Sequence, residues 1–150
     1  GAKQTQIAPE LEDLSVKIVV SLDWEEGLAS SIRHGLSAAT ALYPDLSAVI
    51  IALGDQPLIT AETYRYLAGA GAGGMDLAAC HYGETIGTPA LFGEGYFQNL
   101  LSLRGDRGAK AILIDNRELV RLVECDAASV DVDTPDDYSA AVATVSPNNT

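Results

Sequence analysis

The sequence predicts an α/β fold: a mostly parallel sheet with helices between its strands and one antiparallel hairpin inserted into it. Three observations carry that prediction. The run Val49, Ile50, Ile51, Ala52, Leu53 is apolar at every position and breaks into Gly54-Asp55-Gln56-Pro57, which reads as a strand covered on both faces. Strand-like segments alternate with helical periodicities such as Ile32, Leu36, Ala39 and Tyr43, the signature of a parallel sheet with crossover helices. Residues 77–82 and 88–92 flank a glycine-bounded turn at 83–87, the pattern of a hairpin.

Each element has its own local reason. Residues 1–6 read as the tail of a connection, and Ile7, Leu11 and Leu14 then place one apolar stripe on a short helix. Residues 16–21 follow as a strand. After a turn at 23–27, Ser30 or Ser31 can cap the helix that Pro44 ends. The strand at 48–53 comes next, and Thr60 can cap a helix through Glu62, Tyr64 and Leu67. Residues 68–74 are small and glycine-rich, so they read as a loose loop. Beyond the hairpin, residues 96–103 read as a short helix, Gly105-Asp106-Arg107-Gly108 leads into a helix over 109–115, and 119–124 is a strand. Thr134-Pro135-Asp136-Asp137 is a capping box with proline at the first helical position, opening a last helix through Tyr138 and Val142. From Ser146 onward the chain is expected to fray.

Composition narrows the function. At 150 residues and 47% hydrophobic, the chain suffices for one domain with a substantial core. Its 21 acids against nine bases, a net charge of -12, disfavour nucleic acid and anionic membranes as partners. An anionic substrate would need a metal, helix N-termini or the few bases. Cys80 and Cys125 are far apart and lack CxxC spacing, so reduced thiols and a cytoplasmic location are expected. No apolar run reaches membrane-span length, and no basic stretch precedes an apolar one at the start, so a soluble, non-secreted protein is expected. Motifs for a serine hydrolase, a zincin, a P-loop or a dinucleotide fold are absent.

Asp55 is the first candidate for chemistry, because ligands of open α/β sheets bind outside the carboxyl ends of the strands. Gly54 there permits close approach of backbone to ligand. The alternative is a turn aspartate bonding nearby amides. Asp133, before the last helix, is the second candidate, and it too can serve only to start the helix. Two carboxylates at separate strand ends suit a hard divalent ion such as magnesium, which fills its octahedron with water and phosphate oxygens. The segment from Gly27 through Ser30, Ser31 and Arg33 can bind an anion or base at a helix N-terminus, or simply cap it. Arg104, Arg107 and Lys110 gather three of the nine bases, as a site or as a solvated cluster. Gly87-Thr88-Pro89 is a hairpin exit whose backbone can line a pocket. His34 and His81 lack metal spacing and read as packing residues.

In order along the chain, Gly27-Leu28-Ala29-Ser30-Ser31, Leu53-Gly54-Asp55-Gln56-Pro57, Gly87-Thr88-Pro89-Ala90-Leu91-Phe92, Gly105-Asp106-Arg107-Gly108-Ala109 and Asp131-Val132-Asp133-Thr134-Pro135-Asp136-Asp137-Tyr138 resemble the MobA-like nucleotidyltransferases, most closely the molybdenum-cofactor cytidylyltransferase branch. The resemblance implies a Rossmann-like nucleotidyltransferase domain over 1–150. It implies magnesium-dependent transfer of CMP from CTP to the phosphate of a molybdopterin-type cofactor, with release of pyrophosphate. Asp55 and Asp133 match the family's metal-binding aspartates. Ser30, Ser31, Gly54, Gln56, Pro57 and Gly87 fall near the substrates, and Arg104, Arg107 and Lys110 are placed to hold the pterin or pyrophosphate. Family members also open with a strand and a glycine-rich loop bearing an arginine and a lysine that grip the triphosphate, and nothing in this sequence matches it. The expectation is therefore an incomplete domain with N-terminal strands missing from mid-sheet, inactive by itself and open to self-association. A noncatalytic module that binds a metal or nucleotide, or a transferase for another phosphorylated acceptor, is the alternative.

Overall fold

The computed structural model describes residues 3–145. The expectations for Gly1, Ala2 and the stretch from Ser146 lie outside the described residues. In chain order the elements are α1 (Gln4–Glu10), α2 (Leu28–Leu42), β1 (Ala48–Ile51), α3 (Ala61–Ala72), β2 (Leu77–Tyr82), β3 (Thr85–Gly93), α4 (Phe97–Leu101), α5 (Lys110–Asp115), β4 (Arg121–Glu124) and α6 (Pro135–Val145). Short 3-10 turns at Trp24–Glu26, Glu94–Tyr96, Arg117–Leu119 and Asp126–Ser129 join them.

The strands form one four-stranded sheet in the order β1-β3-β2-β4. Strand β3 runs antiparallel to both β1 and β2, whereas β4 runs parallel to β2. Three strands therefore point one way and β3 alone opposes them, as an inserted hairpin requires. The β2–β3 register slips between Ala79, opposite Ala90, and Cys80, opposite Gly87. The extra residues, Thr88 and Pro89, form a bulge, which is where a proline is tolerated within a sheet because it has no amide to donate.

Alternation along β2 splits the core between the two faces. Leu77 and Ala79 pack with Phe92 against Ile32 and Leu36 of α2, Leu100 of α4 and Leu113 of α5. Ala78 and Cys80 pack with Leu91 against Leu67 of α3 and Ala128. Covered on both sides, Leu77 to Cys80 and Ala90 to Phe92 need no polar face, which explains why these stretches are apolar throughout. Cys80 and Cys125, distant in sequence, meet in the second cluster. Burial foremost, and then neighbouring Cys125, push the Cys80 thiol up to about 12. It stays protonated at neutral pH.

Three sequence expectations change. Residues 16–21 form no strand: β1 pairs only with β3 among the described residues, and Val16 and Ile18 remain 54% and 46% exposed. An extended segment becomes a strand only when a ladder partner takes up its backbone groups. Residues 68–72 are not a loop but the last turns of α3, since the missing side chain at Gly71 lets the helix lie on Leu91, 2.9 Å from where a Cβ would be. Neither Ser30 nor Ser31 caps α2: the helix begins at Leu28 after Gly27. The capping box does form. Asp137 Oδ2 accepts from the Thr134 amide at 2.9 Å, and Thr134 Oγ1 accepts from the Asp137 amide at 3.2 Å.

Candidate active site

The loop after β1 and the segment before α6 are tied together by their backbones. The Val132 amide donates to the Asp55 carbonyl at 2.8 Å, and Gln56 Nε2 donates to the Ala128 carbonyl, also at 2.8 Å. These bonds hold Asp55 beside the extended stretch that carries Asp131 and Asp133. The Asp55 side chain is half-buried, and its Oδ1 is shut off from solvent with no hydrogen-bond partner. A desolvated carboxylate oxygen without a donor costs several times what a neutral unsatisfied acceptor does, so it calls for a cation. Asp133 is exposed, and only its amide is engaged, with Asp137 Oδ2 at 3.3 Å. No group of three or more histidine, cysteine or carboxylate side chains that could cage a metal occurs among the described residues. Two carboxylates, one carrying an orphaned oxygen, fit a magnesium-type ion that keeps water and phosphate oxygens in its remaining positions.

Beside this junction lies a cleft of about 650 Å³. One wall is α2 and the run Val49 to Leu53, an apolar surface. The rest of the lining includes Ser31 of α2, Gln56, Tyr82, Gly87, Thr88, Lys110 and Asp131. Four residues expected at the site, Ser31, Gln56, Gly87 and Lys110, thus meet in one cavity although they span 80 positions of sequence. Asp55 sits between two lining residues, Leu53 and Gln56. Gly87 packs closely on Tyr82: a Cβ there would fall 2.6 Å from the Tyr82 hydroxyl, and the ring would have to shift. Burial foremost, and then the Asp131 carboxylate, raise the Tyr82 phenol above its ordinary value. It remains a neutral donor at physiological pH.

Other expected residues are placed elsewhere. Ser30 is fully buried, sharing a hydrogen bond with Ser21 Oγ at 3.0 Å and donating to the Gly27 carbonyl at 3.0 Å, so it locks the start of α2. The amides of Ala29 and Ser30 are spent on Gly105 and Gly27 carbonyls. Gly27, at φ 110, allows this close packing, since a Cβ would stand 2.7 Å from the Gly105 carbonyl. Arg104 and Arg107 line a separate cavity of about 450 Å³ with Gln98, Asn99 and Asp115. Arg104 Nη1 donates to the Leu101 and Leu103 carbonyls at 3.0 and 2.7 Å, closing the end of α4. Among the described residues, Lys110 is the one base lining the larger cleft. Gly54 and Pro57 are exposed, and a Cβ on Gly54 would meet nothing within 4 Å. Both histidines serve structure: His34 Nδ1 donates to the Ser30 carbonyl at 2.8 Å, and His81 pairs with Glu124 at 2.9 Å.

Tyr82 and Asp131 are not among the sequence candidates, and Thr88 enters only within the hairpin exit whose backbone can line a pocket. Asp131 had a readable signal, because residues two apart on an extended segment share a side, which places it with Asp133.

With this geometry in view, residues 1–134 match the MobA-like NTP transferase domain. The chain belongs to that family. Among solved structures it is similar to the homologue of Mycobacterium tuberculosis Rv0371c from Mycobacterium sp. strain JC1, with 37% identity and a TM-score of 0.61 over 75% of this chain and 57% of that one. It is similar to Mycobacterium tuberculosis Rv0371c in complex with manganese, with 26% identity and a TM-score of 0.72 over 95% of this chain and 74% of that one. Molybdopterin-guanine dinucleotide biosynthesis protein A from Archaeoglobus fulgidus shares the fold, at 18% identity and a TM-score of 0.63 over 94% of this chain and 73% of that one. The chain thus spans just over half to about three quarters of the length of these relatives. No curated protein matches it at a significant level. No helix among the described residues is long and apolar enough to cross a membrane.

Proposed function

We propose that the site transfers a nucleotidyl group, CMP from CTP, to the phosphate of a molybdopterin-type cofactor in the cytoplasm. The observation that carries the reading is Asp55 Oδ1, a desolvated carboxylate oxygen without a partner, tied through the Asp55 carbonyl and the Val132 amide to the segment of Asp131 and Asp133. Asp55 and Asp133 would hold magnesium, which supplies charge neutralisation at the transferring phosphate when bound. An acceptor phosphate oxygen bonds to the α-phosphorus of CTP as the bond to the β-phosphate oxygen breaks and pyrophosphate leaves. No enzyme nucleophile is needed. Lys110 offers a positive charge to the leaving phosphates, while Ser31, Gln56 and the Gly87 backbone orient the substrates. The Asp55 loop, with Gly54 open and Pro57 fixing its exit, positions the carboxylate.

Among the described residues the cleft carries little positive charge for this chemistry. Lys110 is a single base against a triphosphate, and the apolar wall of the cleft offers phosphate nothing. This chain alone should release no pyrophosphate from CTP and pterin, whereas the protein from its complete reading frame should do so with magnesium. A screen of CTP, GTP, ATP and UTP with pyrophosphate readout checks both statements. Pyrophosphate release by residues 1–150 would overturn the first, and magnesium-independent turnover by the complete protein would remove the metal. In the complete protein, Asp55→Asn should lower kcat by about 10²-fold or more with little loss of stability. Turnover at the unsubstituted rate would end the proposed role of Asp55.

A further inference from the structure

Gln56 is only 7% exposed, yet it lines the larger cleft. Its amide has a fixed direction. Nε2 donates to the Ala128 carbonyl at 2.8 Å, and the reversed amide would set two carbonyl oxygens against each other. The other end, Oε1, is buried and has no hydrogen-bond partner. Backbone adjustment cannot readily rescue it, because the neighbouring Asp55 carbonyl is pinned by the Val132 amide at 2.8 Å. A well-anchored side chain that lines a cavity large enough for a ring system therefore holds an acceptor without a donor.

We infer that Gln56 is a specificity determinant of the cleft, its side-chain carbonyl accepting a hydrogen bond from the N–H group of an aminated heterocycle. This rests on the nucleotidyltransferase reading and narrows it. A neutral, planar acceptor is repelled by phosphate oxygens and by ring carbonyls, both of which present lone pairs. It is satisfied by an amino group attached to a ring, which presents hydrogens in the ring plane. Sites built to hydrogen-bond a substrate N–H reject the analogue lacking it far more strongly than apolar pockets reject a change of size, because the buried partner is then left unpaired. The amino group has two sources, the nucleobase and the pterin-type acceptor.

The test uses the protein from its complete reading frame, with magnesium, and direct calorimetric binding of matched ligands: CTP against UTP, GTP against ITP, and a pterin against the corresponding lumazine. The unsubstituted protein should prefer the aminated member of at least one pair by about tenfold, and the pair that shows it identifies the source. Gln56→Met removes the acceptor and should erase that preference. Gln56→Glu keeps an acceptor while losing the donor to Ala128, and should retain it. Each preference is a ratio of affinities within one preparation, so partial misfolding of a variant does not mimic the result. Binding without discrimination in all three pairs, or a preference that survives Gln56→Met, would overturn the inference and leave the transferase reading standing. A structural water as the only partner of Oε1 belongs to that outcome. Failure to bind any of these ligands would overturn both.

Discussion

The two sides of the sheet's centre differ in how far they are closed. Around β2 and β3, Phe92, Leu77 and Ala79 are at most 1% exposed and touch helices from three parts of the chain. At β1 and along residues 16–22 most side chains are apolar too, yet β1 is only half-buried and Leu22 is 84% exposed. The sequences of the two regions are alike in hydrophobicity, so the difference comes from pairing. A strand is buried by its neighbours, and one edge of β1 has none among the described residues. The site sits on the boundary. Its lining draws on both, with Ile32 and Leu36 from the closed region and Val49 to Leu53 from the open one.

Substitutions should expose that contrast, beginning with the largest effect. Phe92→Ala removes the largest fully buried side chain from the closed region and should cost about 3–5 kcal/mol in urea unfolding. A cost under 1 kcal/mol would mean the closed region is loosely packed. Gly27→Ala, at φ 110 and against the Gly105 carbonyl, should cost about 1–3 kcal/mol, because strain and contact act together where the two loops meet. Thr134→Ala removes one half of the capping box and should cost about 1 kcal/mol by the same measurement. In the open region, Val19→Thr should change stability by no more than about 0.5 kcal/mol, since Val19 is already 43% exposed. A larger loss there would show that the segment is covered in solution.

The capping box adds a pH dependence. Hydrogen bonds from the Thr134 side chain, and then from its amide, hold the Asp137 carboxyl below the usual carboxylate range. A carboxyl lowered on folding contributes stability that is fully present above its unfolded pKa of about 3.9 and is lost as pH falls through the folded value. Acid unfolding of Asp137→Asn should lack that part of the pH dependence. An unchanged acid limb would show that the carboxylate adds nothing.

Much of this architecture was legible from local chemistry. The capping box and the hairpin each depend on a few neighbouring residues, and both form. The apolar run into Asp55, expected as a strand over 48–53 covered on both faces, is a strand only over Ala48–Ile51, half-buried and paired on one edge among the described residues. The errors arose where long-range contacts decide. Residues 68–72 look like a loop by composition and are helical because Gly71 fits against Leu91. Ser30 looks like a cap or ligand and is a buried lock for Ser21. Arg104, Arg107 and Lys110 look like one cluster, but Lys110 opens α5 toward one cavity while the arginines turn toward another.

By itself the sequence determined which segments could be strands and where carboxylates and glycines would stand at their ends, because propensity, capping and turn geometry act over a few residues. Only the tertiary structure decided which strands find partners, which polar atoms are left buried without one, and which side chains share a cavity. Those depend on surfaces brought together from distant parts of the chain. Apolar side chains are therefore core in β3 and uncovered in residues 16–20, and the unpaired oxygens of Asp55 and Gln56 emerge only once the fold has removed their water.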